Sequence, residues 1–273
     1  KAVYDELWGQ WRADVAKARP GAKLDALLSD PASTTEAAKG DMAQLALANG
    51  LVDKLGDQIA FGKYLAAKVG KDRKESIGGF AATKMDALLA AKSPDRSGDP
   101  IGVVTIAGEI VDGEGGPGTA AGDTIAELIY DALKEDDLKA LVVRVDSPGG
   151  SVMASERIRL ALLEAKKRKL PVVVSMANLA ASGGYWVSTP ADAIFAEPST
   201  ITGSIGIFGV VPSAEEALGK WGVATDGVKT SPLSGEPNVL GGISPDFDRL
   251  VQSVIEKGYR DFLSRVAISR KKT

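Results

Sequence analysis

The chain has 273 residues, of which 44% are hydrophobic and 25% are charged, a balance typical of a globular protein with a sizeable core. Its 33 basic and 36 acidic side chains leave a formal net charge of −3, and only 5% of residues are aromatic. Neither a basic face nor a base-stacking platform for nucleic acid is therefore indicated. The chain contains no cysteine and no histidine, which excludes thiol nucleophiles, Ser-His-Asp triads and HExxH metal sites within it.

The first part of the chain is predicted to be mainly helical. Apolar residues at helical spacing run over 5–15, and further helices are expected over 35–49 and 58–69. The segment 92–100 is polar and rich in helix-breaking residues, so we interpret 93–100 as a linker between two domains.

The second part of the chain alternates predicted strands with predicted helices, which indicates parallel βαβ units and a layered α/β domain. The apolar runs of its strands do not alternate, which favours strands covered on both faces. The uncharged stretch 170–190 is long enough to suggest a membrane span, but its Pro, Ser and Gly residues favour a strand, a turn and a short helix. Strands are predicted at 101–107, 140–145, 171–176 and 193–196, and helices from 124, over 152–168, after 182 and over 247–269.

Three segments rich in glycine and hydroxyl groups could support chemistry. Asp146-Ser-Pro-Gly-Gly-Ser151 joins a strand to a helix, and its backbone N–H groups suit an oxyanion or anion site, although a tight turn explains it equally well. In Ala180-Ala-Ser-Gly-Gly-Tyr-Trp186, Ser182 is either a nucleophile at a helix N-terminus or a buried helix cap. Ser199-Thr-Ile-Thr-Gly-Ser-Ile-Gly206 is by itself a turn before a strand. The glycine-rich loop 113–122 lacks the Gly-Lys-Ser/Thr of a phosphate-binding loop.

A serine nucleophile in a chain without histidine needs a lysine base whose pKa is lowered by burial. The base must also lie within hydrogen-bond reach of the serine hydroxyl. Lys229 is the local candidate, but an exposed lysine at a strand end is the simpler interpretation of that position.

The motifs Val-Asp-Ser-Pro-Gly-Gly-Ser, Ala-Ala-Ser-Gly-Gly-Tyr-Trp and Thr-Gly-Ser-Ile-Gly-Ile-Phe-Gly resemble, in the same order, those of the signal peptide peptidase A (protease IV) family of Ser/Lys peptidases. The resemblance implies a layered parallel-sheet α/β fold like that of crotonase and Clp protease, present in two tandem copies in the long bacterial form. The segment 48–56 resembles the one that closes each copy. The resemblance therefore implies that 1–92 is the mainly helical C-terminal part of a first copy and that 101–273 is a second copy, truncated at its C-terminus.

The resemblance also implies roles for individual residues. Ser182 would form the acyl-enzyme, Gly149 and Gly150 would bind the oxyanion, and Ser204 would orient the catalytic lysine. In the long form that lysine comes from the first copy, from a segment upstream of Lys1, and Lys229 lies about three residues before the matching position in this copy. We therefore expect the chain to lack its general base and to be inactive alone.

As a whole, the resemblance implies a serine endopeptidase that cleaves remnant signal peptides or short hydrophobic segments. It would be a homo-oligomer at the bacterial inner membrane, facing the periplasm and attached through parts outside this chain, with no cofactor, no metal and no nucleic-acid partner. Two alternatives stay open. A crotonase-like acyl-CoA enzyme shares the α/β core and the glycine turns but does not explain the segment 180–186, and a non-catalytic paralogue could serve as a scaffold.

Overall fold

The computed structural model describes residues 1–74, 76–92 and 98–271. Residue contacts divide the chain into two compact units, Lys1–Gly98 and Asp99–Thr273. Most of the predicted linker 93–100 lies outside the described residues. The assignment of 1–92 and 101–273 to two copies of one unit stays a prediction.

The first unit consists of helices and the segments that connect them. Aspartate side chains cap three of these helices, because Asp30, Asp41 and Asp57 each accept the backbone N–H of the third residue that follows. The helices are α1 Ala2–Ala18, α2 Leu24–Ser29, α3 Pro31–Ala37, α4 Met42–Ala48, α5 Gln58–Val69 and α6 Met85–Ala91.

The continuous helix predicted over 35–49 is wrong. The chain turns between α3 and α4, where Lys39 and Gly40 adopt left-handed φ angles of 54° and 77°. Asp41 then caps the start of α4 by accepting the N–H of Gln44. A glycine followed by a capping aspartate ends one helix and begins the next, so the local signal for the break was present.

The second unit is built on a parallel sheet. Its strands run in the order β1-β4-β5-β6, while β7 also pairs with β5 and the short strands β2 and β3 pair with each other. Every one of these pairs is parallel, as the βαβ pattern predicted. The elements are β1 Ile101–Ala107, β2 Glu109–Val111, β3 Thr119–Ala121, α7 Gly122–Ala132, β4 Ala140–Ser147, α8 Val152–Lys167, β5 Val172–Ala181, α9 Gly183–Ser188, β6 Ala193–Phe195, β7 Ile201–Gly203, α10 Glu215–Lys220 and α11 Pro245–Arg270.

The core of this unit lies between the sheet and helices α7 and α8. Ile129 of α7 and Ile158 of α8 are fully buried in one cluster with Val143 of β4. Burial alternates along β1 and β4, and the opposite face of the sheet is open at Val103 and Phe195, which are 67% and 64% exposed. This alternation differs from the coverage on both faces that the apolar runs predicted.

The uncharged stretch 170–190 forms β5, a turn and α9 rather than a long helix. Among the residues that the structure describes, no helix combines the length and the apolar character needed to cross a membrane.

Strand β5 changes its neighbours along its length. Val145 of β4 pairs with Met176, but Ser147 pairs with Ala180, so β5 accommodates two extra residues between these two positions. On its other edge, the first half of β5 pairs with β6 and the second half pairs with β7. The offset therefore brings the carboxyl ends of β4, β5 and β7 together at one edge of the sheet.

Candidate active site

Ser182 occupies a strained turn between β5 and α9. Its backbone has φ 51° and ψ −117°, and its N–H donates to the carbonyl oxygen of Gly203 at 3.0 Å. The carbonyl oxygen of Ser182 accepts the N–H groups of Tyr185 and Trp186, both at 2.9 Å. The half-buried hydroxyl has no hydrogen-bond partner among the described residues, so it does not cap α9. A left-handed φ at a residue with a Cβ costs about 1–3 kcal/mol and is typical of functional turns.

The glycines after Ser182 are required by packing. A Cβ at Gly183 would lie 2.5 Å from Ser155 Oγ, and one at Gly184 would lie 2.8 Å from the carbonyl oxygen of Ser147. These distances are too short for carbon–oxygen contacts. The Ser-Gly-Gly sequence therefore allows the turn to sit directly on β4 and α8.

The Gly149–Gly150 turn lies against the Ser182 turn. A Cβ at Gly149, where φ is 98°, would come within 2.8 Å of Ser182 Cβ and 2.5 Å of Gly183 N. A Cβ at Gly150 would overlap the carbonyl oxygen of Ile110 in β2. The N–H of Ile110 also donates to the carbonyl oxygen of Gly149 at 2.8 Å, which holds the turn from the other side. The structure thus brings both predicted glycines to the predicted serine.

The backbone donors around Ser182 are not equally available. The N–H of Gly149 donates to the buried Ser147 Oγ at 3.1 Å. The N–H groups of Gly150 and Gly183 have no acceptor within the described part of the chain. A Cβ at Gly183 would lie 3.2 Å from Gly150 N, so these two donors are close to each other. The sequence interpretation missed Gly183, although its position as the first residue of a helix was a usable signal.

Ser204 lies beside Ser182 on the neighbouring strand. Ala181 pairs with Gly203, and Ser182 and Ser204 directly follow this pair with similar φ angles of 51° and 47°. Paired strands run about 4.8 Å apart, so the two backbones are adjacent. The side chain of Ser204 is exposed and, in the described ranges, makes no hydrogen bond.

Lys229 is held by a carboxylate rather than by a serine. Its Nζ lies 3.7 Å from Oε1 of Glu236, and its side chain is 51% exposed, whereas that of Glu236 is 1% exposed. Hydrogen bonding by Ser244, together with the N–H of Asn238 and the Lys229 charge, outweighs desolvation and holds the pKa of Glu236 below its ordinary value. No lysine Nζ among the described residues lies within hydrogen-bond distance of Ser182 Oγ.

The described residues contain no group of three or more acidic side chains arranged to hold a metal ion. At this edge of the sheet the structure places the Ser182 hydroxyl beside backbone N–H groups. A strained serine beside two unengaged donors suits acyl transfer, because such donors stabilise a tetrahedral oxyanion. Fold and site together suit a serine hydrolase built on a parallel α/β sheet.

Comparisons with known proteins agree with this class. The model of peptidase family S49 matches residues 164–273. The chain is 46% identical over 234 residues to Protease 4 of Salmonella typhi, which covers 86% of this chain and 37% of that protein. It is 37% identical over 273 residues to Protease 4 of Haemophilus influenzae, and this match covers 97% of this chain and 43% of that protein. It is 30% identical over 182 residues to the chloroplastic serine protease SPPA of Arabidopsis thaliana, and this match covers 63% of this chain and 26% of that protein.

Residues 164–273 match peptidase family S49, and the resemblance predicted from the three motifs is confirmed. It spans less than half the length of the Protease 4 relatives, 37% in one case and 43% in the other.

Proposed function

We propose that this chain supplies the nucleophile of a serine endopeptidase and that the acyl-enzyme forms on Ser182. The observation that supports this most directly is the strained Ser182 turn, whose hydroxyl makes no hydrogen bond to the described residues and lies beside the N–H groups of Gly150 and Gly183, which have no acceptor among them either. Ser182 Oγ attacks the carbonyl carbon of the scissile peptide bond, and its proton passes to a base. The leaving amine then takes up that proton, and water hydrolyses the ester on Ser182.

The oxyanion of the tetrahedral intermediate is bound, in this proposal, by the N–H groups of Gly150 and Gly183. Gly149 contributes differently, because its own N–H is already bonded to Ser147 Oγ. Its lack of a Cβ allows the two turns to touch. Removing a single oxyanion donor typically lowers kcat by about 10²–10³-fold, so the choice of donors has a measurable consequence.

The general base, we propose, is a lysine outside this chain that Ser204 orients from the end of β7. A base lysine must lie within hydrogen-bond reach of the serine hydroxyl, whereas the half-exposed side chain of Lys229 places its Nζ 3.7 Å from Oε1 of Glu236. The chain alone would then be inactive, as the sequence predicted.

The finer features of the fold and of the biological setting belong to the same proposal. The unit from Asp99 onward would be a crotonase- and Clp-protease-like second copy, and 1–92 the C-terminal part of a first copy. Exposed apolar side chains after Ser204, including Phe208 at 85% and Val210 at 78%, suit remnant signal peptides or other short hydrophobic segments as substrates. The protein would act as a homo-oligomer at the bacterial inner membrane, facing the periplasm, with its membrane attachment outside this chain.

The test is fluorophosphonate labelling of the protein expressed from its full reading frame. Labelling should be lost in Ser182→Ala and retained in Ser199→Ala, a matched change at an exposed serine. Labelling that persists in Ser182→Ala contradicts the assignment of the nucleophile. Coenzyme A binding without labelling would instead support the acyl-CoA enzyme. The absence of both labelling and coenzyme A binding would support the non-catalytic scaffold.

A further inference from the structure

A partly buried carboxylate joins three helices behind the Ser182 turn. Glu156 of α8 accepts hydrogen bonds from Nε and Nη2 of Arg159, both at 2.8 Å, and from Nε1 of Trp186 in α9 at 2.8 Å. Nη2 of Arg265, in α11, adds a fourth contact at 3.3 Å. One carboxylate thus meets two guanidinium groups and an indole N–H.

Trp186 is the centre of this cluster. The residue is 4% exposed, and its ring packs at a tilt against Phe262 with centroids 4.7 Å apart; the guanidinium carbon of Arg265 lies 4.4 Å from the centroid of the indole ring. Phe262 is the only residue of α11 that is buried. The long α11 is therefore attached at the side chain that Glu156 holds.

The cluster is connected to both parts of the site by short paths. Trp186 also donates its backbone N–H to the carbonyl oxygen of Ser182, so the indole and the nucleophile turn belong to one turn of helix. Glu156 lies on α8, whose N-cap is Ser151, the residue after Gly150. The helix that follows Gly150 and the helix that follows Ser182 are thus joined, within about two turns of the site, by one side chain.

Glu156 is held as a carboxylate. Burial alone would raise its pKa, but the hydrogen bonds from Arg159 and Trp186 and the charge of Arg265 outweigh burial and lower the pKa. Such charge-assisted bonds are stronger and more directional than neutral ones. The cluster therefore fixes the orientation of α9 more tightly than apolar packing would.

We propose that Glu156 is a positioning residue for the reaction on Ser182, acting through the indole of Trp186 to hold the first turn of α9, and with it the N–H of Gly183, against the Gly149–Gly150 turn. This inference rests on the proposed function. Glu156 exchanges no proton in the reaction and does not touch the substrate.

The test uses the protein from its full reading frame, with Glu156→Gln and Trp186→Phe as variants. Glu156→Gln loses the charge and one of the two acceptor oxygens, while Trp186→Phe keeps an aromatic ring against Phe262 and loses the indole donor together with part of the buried ring. The matched control is Glu164→Gln, also on α8, whose carboxylate is 46% exposed and bonds only to Lys167 among the described residues.

Active sites are first counted by fluorophosphonate titration, and kcat and KM are then measured per titrated site on a fluorogenic peptide of apolar residues. Glu156→Gln should lower kcat by about 10–100-fold with little change in KM, because a misplaced donor acts mainly on the transition state. Trp186→Phe should also lower kcat. Because Glu156 acts through the indole of Trp186, the double variant should have a kcat no lower than that of Glu156→Gln. The control should match the wild type.

A purely structural role would reduce the number of titrated sites and leave kcat per site unchanged, which would overturn the inference. Wild-type kcat in both Glu156→Gln and Trp186→Phe would do the same while leaving the proposed function intact. If Glu156→Gln does not fold, Trp186→Phe decides. Failure of the wild type to label at Ser182 would refute the proposed function, and this inference would fall with it.

Discussion

Replacing Gly149 with alanine should disrupt the Ser182 turn far more than its left-handed backbone alone would require. The new Cβ would lie 2.5 Å from Gly183 N and 2.8 Å from Ser182 Cβ. These neighbours cannot move aside easily, because Gly183 and Ser182 are packed on β4 and α8. The variant therefore combines backbone strain with a steric clash at the proposed site.

Gly118→Ala separates these two effects. Gly118 has a φ of 104°, close to the 98° of Gly149, but a Cβ there would meet nothing within 4 Å. Strain of about 1–3 kcal/mol applies to both variants, and the gain of about 0.4–1 kcal/mol from a stiffer unfolded chain offsets part of it in both. Overpacking adds about 1–3 kcal/mol at Gly149 only. That addition is the expected difference between the two free energies of unfolding.

The difference can be measured by urea unfolding, followed by hydrogen exchange of peptides from β5 and α9. Gly149→Ala should also lose fluorophosphonate labelling of Ser182, whereas Gly118→Ala should keep it. Equal destabilisation of the two variants would show that the Gly149 and Ser182 turns are not in contact, and the proposed oxyanion site would lose its geometric basis.

Three further changes probe other parts of the unit. Lys229→Ala should leave labelling of Ser182 nearly unchanged, whereas loss of a true general base lowers activity by about 10²–10⁴-fold, and such a loss would make Lys229 the base. Since the folded-state pKa of Glu156 is lowered, its contribution to stability is present above the ordinary glutamate pKa of about 4.3 and is lost as pH falls through the folded value. As the pH is lowered, the urea concentration at the unfolding midpoint should therefore fall less steeply in Glu156→Gln than in the wild type. An equal dependence of the midpoint on pH in the two proteins would contradict this. Thr202→Val removes the 2.8 Å hydrogen bond to the carbonyl oxygen of Ala180; it should cost about 1 kcal/mol and speed amide exchange in β7, and unchanged exchange would argue against the bond.

Local sequence patterns predicted much of the second unit. The alternation of apolar runs with helical segments predicted parallel pairing, and α8 was predicted to within a residue at its C-terminal end. Ser182 was singled out because small residues surround it directly after a buried strand. These features depend on neighbours in the chain, which a sequence displays.

Other features depend on contacts between distant residues and were not predicted. The N–H of Gly149 donates to the hydroxyl of Ser147, which is only two residues earlier but is buried at the end of β4 against Gly184 of α9. The open face of the sheet was missed because apolar strands look alike whether one or both faces are covered. Glu156 gave no signal, since a glutamate on an amphipathic helix normally faces water.

The change of partner along β5 divides this strand into two parts that can diverge separately. Val173, Val174 and Ser175 pair with β6, while Leu179 to Ala181 pair with β7, and Thr200 Oγ1 bonds to the carbonyl oxygen of Ala177 between them at 2.7 Å. A longer or shorter connection between β6 and β7 would alter the end of the strand that bears the serines and leave the buried half in register. Evolution, or a directed library, can therefore vary residues 196–199 and 205–211 on either side of β7 while Thr200 to Ser204 and the folding core stay constant.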